Sequence, residues 1–239
     1  MASDLSVEES PVGPVLRPTK ETELVVLYLH GEPDGPDAIL DAAGRLALLT
    51  GATVVCPRYR TAFPGALIDA HSGYSYCQAA GPVVVLGEGL GAALATAMLV
   101  QLRDSEATPP RCAVLLSGLL DLTLETKSLL FNASAGATFD IDKLRRRVTT
   151  YARGTSLTDS RLSPLYANLH GLPPTKVLVA GTDPLLDDSL AFVTRAARSR
   201  VPVDLQVWPE TATFRTEAMA AVATFVRAWH PATRAGAPA

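Results

Sequence analysis

Residues 81–98 read "GPVVVLGEGLGAALATAM", and their interpretation decides the fold. Val83, Val84, Val85 and Leu86 form a short run of strand-forming residues, and the alanine-rich stretch after Gly91 starts a helix. Between them Gly87, Gly89 and Gly91 permit a turn too tight for ordinary side chains. Two kinds of machine use this arrangement. One cradles a dinucleotide pyrophosphate with a G-x-G-x-x-G/A turn, which Gly87, Gly89 and Ala92 fit. The other is the sharp elbow G-x-S-x-G, which lifts a nucleophile above a sheet; Gly87 and Gly91 fit it, and the serine position holds Gly89. A third reading gives the glycines no task beyond close packing of helix on strand.

The flanking sequence weighs against the nucleotide. A dinucleotide site uses the first strand–helix unit of its domain and wants an acidic residue about twenty positions on, at the end of the next strand. Two such units precede this turn: "LVVLYLH" (24–30) with "PDAILDAAGRLALLTG", and "ATVVCP" with "PGALIDAHSGYSYCQAAG". The first helix has Asp34 as a cap, Pro36 in its first turn and Gly51 as its stop. The strand after the turn, "RCAVLLSG", ends in Ser117 and Gly118, with Asp121 beyond it. Residues 121–163 break the alternation with "NASAGATFDID" and a basic amphipathic "KLRRRVTTYARG", which reads as a cap-like insertion over the sheet edge. "TKVLVAG", "PLLDDSLAFVTRAARSR", "VPVDLQVWP" and "RTEAMAAVATFVRAWH" then resume as strand, helix, strand and closing helix. Strand–helix alternation of this kind implies an α/β fold, a mostly parallel sheet with helices on both faces. The expected organisation is a flexible N-terminus over 1–12, the main domain over 13–230 and a disordered tail over 231–239.

Bulk properties exclude several classes. The 239 residues are 48% apolar and 19% charged, with a net charge of −3, so there is no electrostatic case for nucleic acid or an anionic membrane. The first twenty residues lack a basic stretch followed by an apolar one, and the apolar runs are strand length, so neither a secretory leader nor a membrane span is expected. Cys56, Cys77 and Cys112 are odd in number and far apart, as buried thiols of a cytoplasmic protein would be. No cofactor or metal is implied. The expected partner is a small molecule, with homodimerisation left open.

Four further segments carry a family likeness. "LYLHGE" resembles the strand leading into an H-G-G oxyanion loop, through His30 and Gly31. "CPRYRTAFPGALIDAHSGYSYC" resembles a tyrosine–arginine segment and its P-x-A-L-x-D helix, through Tyr59, Arg60, Pro64, Ala66, Leu67 and Asp69. "LSPLYANLHGLPPTKVLVAGTDPLLDDS" resembles the S-P-L, G-L-P-P and D-x-L-x-D-D stretch that presents a triad's acid, here Asp183. "VWPETATF" resembles the segment that presents a triad's histidine. Over roughly 13–230 the chain thus resembles the hormone-sensitive-lipase-like branch of the α/β-hydrolases, the bacterial esterase family. The likeness implies an α/β-hydrolase fold; little sequence precedes the first core strand, so a reduced cap is expected.

The departures from that family fall on the chemistry. Gly89 stands where the serine would, Thr213 where the histidine would, and Glu32 replaces the second glycine of the oxyanion loop. A serine hydrolase needs the imidazole to take and return the proton. Glycine, however, adopts the elbow's left-handed backbone without penalty, so the turn can outlive the chemistry. The candidate acid–base residues are then Asp183 and Glu32. The candidate pocket residues are His30, Gly31, Tyr59, Glu88, Gly89, Leu90 and Thr213, with the amides near Gly31 and at Leu90 as oxyanion donors. His71, His170 and His230 read as structural or solvated. On this basis we expect a non-hydrolytic enzyme of secondary metabolism, lyase- or cyclase-like, acting on a small acyl or polyketide-like ester. The alternatives are an inactive pseudo-esterase that binds a ligand or partner, and a carboxylesterase with an atypical nucleophile, for which Ser117 or Cys77 would have to reach the cleft.

Overall fold

In the computed structural model, residues 4–31, 35–135 and 139–229 are described. Eight strands form one sheet in the order β1-β2-β4-β3-β5-β6-β7-β8. These are β1 (Leu5–Ser10), β2 (Gly13–Pro18), β3 (Val25–Leu29), β4 (Thr53–Val55), β5 (Val83–Glu88), β6 (Cys112–Leu116), β7 (Thr175–Ala180) and β8 (Val203–Trp208). From β4 to β8 all neighbours are parallel, and β1 and β2 extend the sheet as an antiparallel hairpin. The helices are α1 (Leu40–Thr50), α2 (Gly65–Ala80), α3 (Leu90–Asp104), α4 (Lys127–Ala135), α5 (Ile141–Ala152), α6 (Leu186–Arg198) and α7 (Thr211–Ala228).

The apolar runs seen in the sequence become strands buried on both faces. On one face, α2, α3 and α6 cover Val25, Leu27, Val85 and Leu115. On the other, α1 and α7 cover Val26, Tyr28, Val84 and Val114. Gly51 ends α1 at φ 72°, the left-handed cap expected of it. α2 runs through Gly73, where a side chain would press on Pro57 and Leu27 at 3.2 and 3.3 Å. Asp34, expected to cap the first helix, lies outside the described residues, as does the tail.

The N-terminus differs from expectation. Leu5–Ser10 is not a flexible lead-in but an edge strand in register with β2, Leu5 opposite Pro18 and Ser10 opposite Gly13. Only Leu5 and Val7 alternate with polar residues there, so no hydrophobic run marks it. The signal lay in the turn "SPVG" (10–13), where the Ser10 hydroxyl donates to the Gly13 carbonyl at 2.6 Å.

The elbow is held by contact between bare backbones. A Cβ on Gly91 would sit 2.5 Å from the His30 carbonyl oxygen and closer still to that of Leu29. A Cβ on Gly89 would meet only the Gly31 Cα, at 3.6 Å, but its φ of 54° is unfavourable for a side chain. We therefore expect Gly91→Ala to cost about 3 kcal/mol or more, or to prevent folding, and Gly89→Ala to cost about 1–3 kcal/mol from backbone strain alone. Urea denaturation of the two variants checks the order; equal losses would contradict it.

Candidate functional site

The site forms where β5 hands over to α3. Gly89 is the apex, at φ 54° and ψ −122°, with its N–H donating to the Leu116 carbonyl at 3.0 Å. Its own carbonyl accepts from the amides of Leu119 and Ala92, at 3.0 and 3.1 Å. The Gly31 loop lies directly on this turn: a Cβ on Gly31 would stand 2.6 Å from the Glu88 carbonyl and 3.1 Å from the Leu90 nitrogen. The amides around Gly31 and Leu90 are thus brought together, and Leu90 opens the first turn of α3, whose N–H groups have no partner within the helix.

His30 is 2% exposed and stacks on the Tyr59 ring, with centroids 4.3 Å apart and planes 12° from parallel. The Tyr59 hydroxyl donates to the His30 carbonyl, so this phenol braces the loop. Glu88 turns away from the cleft and accepts from Tyr28 at 2.6 Å; burial first, and then the Glu88 charge, raise the Tyr28 phenol well above its ordinary value. Glu32 lies outside the described residues.

Asp183 follows β7 and is 9% exposed. Its carboxylate accepts from the Ser117 hydroxyl at 2.7 Å and from the Leu185 amide at 2.8 Å. Ser117 is half-buried, follows β6 and holds φ 41°, a left-handed value that a serine seldom takes. Thr213 sits in the first turn of α7; it is its neighbour Thr211 whose hydroxyl meets that of Thr182, at 3.0 Å, beside the acid. The structure therefore brings His30, Gly31, Tyr59, Gly89 and Leu90 together, places Asp183 with Ser117, and points Glu88 elsewhere.

The insertion secures the acid. Asn132 of α4 donates to the Asp183 carbonyl at 2.9 Å, and Ser128 exchanges bonds with Asp187, accepting its amide at 3.0 Å and donating its own amide to the carboxylate at 2.8 Å. Asp188, 1% exposed, accepts the amides of Leu120 and Asp121 at 2.7 and 2.9 Å. The second helix of the insertion, α5, does not simply cover a sheet edge. Its Lys143, Arg147, Thr150 and Tyr151 wall a cavity of about 350 Å³ together with His30, Tyr59, Arg60, Leu90 and Leu94. That cavity opens on the β3–β4 side of the elbow, whereas Ser117 and Asp183 lie on the β6–β7 side.

Other nucleophile candidates are closed off. Cys77 is fully buried, and burial pushes its thiol far above the usual range; Cys56 and Cys112 are pushed up to about 12 by the same cause. His71 bonds Gln101 at 2.8 Å between α2 and α3, and His170 is exposed with its ring on the Ser199 carbonyl at 3.3 Å; His230 lies outside the described residues. Among the described residues no cluster of His, Cys, Asp and Glu could hold a metal ion, and no helix is long and apolar enough to cross a membrane.

An elbow between a central parallel strand and its helix, with an acid presented two strands away, is the layout of an α/β-hydrolase. Residues 27–213 match the family described as alpha/beta hydrolase fold, and the chain belongs to it. It is 32% identical to an acetyl-hydrolase of Streptomyces hygroscopicus over 206 residues, 82% of this chain and 69% of that one. It is 30% identical to the esterase LipU of Mycobacterium tuberculosis, over 80% of this chain and 70% of the relative. A crystal structure of an esterase from the bacterial hormone-sensitive lipase family superimposes with a TM-score of 0.87 at 28% identity, covering 95% of this chain and 85% of the other. These relatives correct the expectation of a non-hydrolytic, elimination- or cyclisation-type enzyme of secondary metabolism: proteins this similar along most of their length are named for ester hydrolysis.

Sequence reasoning missed the cavity wall of Lys143, Arg147 and Tyr151. The basic helical pattern of "KLRRRVTTYARG" was visible, but not the surface it faces. It also left the Ser117–Asp183 bond unforeseen, because the two are 66 residues apart.

Burial raises the Asp188 carboxyl from 3.8 to about 6. The folded chain thus holds this proton more tightly than the unfolded chain, and the group's stabilising contribution, full below the unfolded value, is lost as pH rises through about 6. Asp188→Asn keeps an oxygen for the two amides but has no proton to lose. Melting curves from pH 4 to 7 are expected to show the wild type losing ground to this variant as pH rises; parallel curves would refute the assignment.

Proposed function

We propose that the chain is a carboxylesterase-type hydrolase of small esters that works without an elbow serine, with Ser117 as its nucleophile and Asp183 as the base. The observation that carries this is the 2.7 Å bond between the Ser117 hydroxyl and the Asp183 carboxylate, at the ends of adjacent strands beside the elbow. Its support from kinship is that relatives matched over 80% and 82% of this chain are named esterase and acetyl-hydrolase. In the reaction, the Ser117 oxygen attacks the ester carbonyl while its proton passes to Asp183, and the alkoxide of the leaving alcohol takes that proton as it departs. The carbonyl oxygen, charged in the intermediate, faces the amides near Gly31 and Leu90. Water then attacks the acyl-serine, losing a proton to the same carboxylate; the bond from the acyl carbon to the Ser117 oxygen breaks, that oxygen takes the proton back from Asp183, and the carboxylic acid leaves.

A carboxylate is a poor base for a serine hydroxyl, because efficiency follows how well the two proton affinities match. Loss of the serine or histidine from a triad costs on the order of 10⁶ in kcat. Turnover here is accordingly expected to be slow. A second reading, ester binding without turnover, is favoured by one observation: the cavity wall contains neither Ser117 nor Asp183.

Release of nitrophenol from 4-nitrophenyl acetate separates the two. The expected result is slow, enzyme-dependent release that falls at least about tenfold in both Ser117→Ala and Asp183→Asn. Equal rates in wild type and Ser117→Ala would remove Ser117 from the reaction. Release at the buffer rate, with ester binding retained in calorimetry, would leave the binding reading.

A further inference from the structure

The turns that carry Ser117 and Asp183 leave adjacent parallel strands, and each is anchored to a different part of the fold. Glu88 stands opposite Leu116 in the register of β5 and β6, so Ser117 is level with Gly89 at the next strand end. The Gly89 amide donates to the Leu116 carbonyl, and the Gly89 carbonyl accepts from the Leu119 amide, both at 3.0 Å. The elbow thus grips the Ser117 turn from one side with two backbone bonds. Asp183 is anchored from the insertion, where Asn132 donates to its carbonyl at 2.9 Å. Below the pair, the Ser117 amide donates to the Leu178 carbonyl at 2.9 Å, continuing the ladder between β6 and β7.

Above that rung the Ser117–Asp183 bond is joined by a second link, made by Asp188. This residue lies in the first turn of α6, five positions after Asp183, and is 1% exposed. Its Oδ2 accepts both the Leu120 amide at 2.7 Å and the Asp121 amide at 2.9 Å. Those amides follow Ser117 by three and four positions. With the 2.7 Å bond from the Ser117 hydroxyl to Asp183, a small ring closes: from Ser117 along its turn to Leu120, across to Asp188, and back along the chain to Asp183. The separation of hydroxyl and carboxylate is therefore set from both ends. Bonds from amides to a carboxylate are stronger than bonds to a neutral acceptor, which suits a link of this kind.

We propose that Asp188 is the positioning residue of the Ser117–Asp183 pair. By holding the Leu120 and Asp121 amides it keeps the Ser117 hydroxyl within reach of the Asp183 carboxylate, and so governs the proton transfer that starts ester cleavage. The inference rests on the reading of Ser117 as nucleophile and Asp183 as base. Asp188 acts through those two groups and takes no part in the bond changes. Proton transfer needs hydrogen-bond reach, and a displacement of about 1 Å can cost on the order of a hundredfold in rate.

Steady-state release of nitrophenol from 4-nitrophenyl acetate by the full chain tests this with three substitutions. Asp188→Asn keeps an oxygen for the two amides and is expected to hold kcat within about threefold of the wild type. Asp188→Glu keeps the charge but carries it one methylene further, and Asp188→Ala removes the acceptor. Both are expected to lower kcat about tenfold or more with KM within about twofold, Asp188→Glu serving if Asp188→Ala does not fold. The rates then follow the reach of the acceptor. A residue that only stabilises the fold would lower the melting temperature and leave kcat per folded molecule unchanged. Unchanged kcat in folded Asp188→Glu and Asp188→Ala, or a loss in Asp188→Asn as large as in Asp188→Ala, would overturn the proposal. If Ser117→Ala is inactive in the same assay while the Asp188 variants keep full kcat, the positioning role alone falls. Full activity in Ser117→Ala, or release at the buffer rate by the wild type, would remove the serine reading and the positioning role with it.

Discussion

The contact on which the rest of this structure depends is made without side chains. Gly91 at the start of α3 lies against the carbonyls of Leu29 and His30, and Gly31 lies against the carbonyl of Glu88. Each glycine is required because the other backbone already fills the space a Cβ would need. This double approach fixes the loop after β3 to the turn after β5. The oxyanion-type amides, the His30–Tyr59 stack and the mouth of the cavity are positioned by it, since all of them follow directly from the ends of β3, β4 and β5.

A second constraint acts across the sheet from the first. The acid-bearing turn after β7 is tied to the insertion by Asn132 and Ser128, and to the turn after β6 by Ser117 and Asp188. Polar bonds are needed there because these turns must satisfy their own amides where little water reaches them. Among the described residues the Asp183 carboxylate is held by the Ser117 hydroxyl and the Leu185 amide. Its geometry is maintained by folding requirements, whatever chemistry it serves.

The sequence was legible where hydrophobic pattern and turn chemistry agree. The runs 24–30, 83–86 and 112–116 could only be buried strands, and Gly51 could only close a helix in the left-handed region. β1 was not legible, because an edge strand with one wet face leaves two apolar residues and no run. At the site, motif spacing singled out Gly31, Gly89 and Asp183 as candidates. It did not reveal the direction of Glu88 toward Tyr28, the partnership of Asp183 with Ser117 or the cationic wall of α5. Each depends on which elements become neighbours in space, and spacing along the chain does not encode that. The expectation of a non-hydrolytic reaction failed for a related reason: it was argued from what the elbow lacks, while the kinship of the remaining chain pointed to esters.

The hairpin that opens the chain has an effect at the molecular boundary. A parallel sheet that ended at β4 would present a row of apolar strand residues with unpaired amides to any passing chain. β1 replaces that margin with Glu8 and Glu9, the first 3.7 Å from Arg17 and the second 3.1 Å from Arg58. A foreign segment adding itself there would have to strip hydration from both carboxylates and break two ion pairs, so the sheet stops growing at this border and the protein is guarded against fibre-like association.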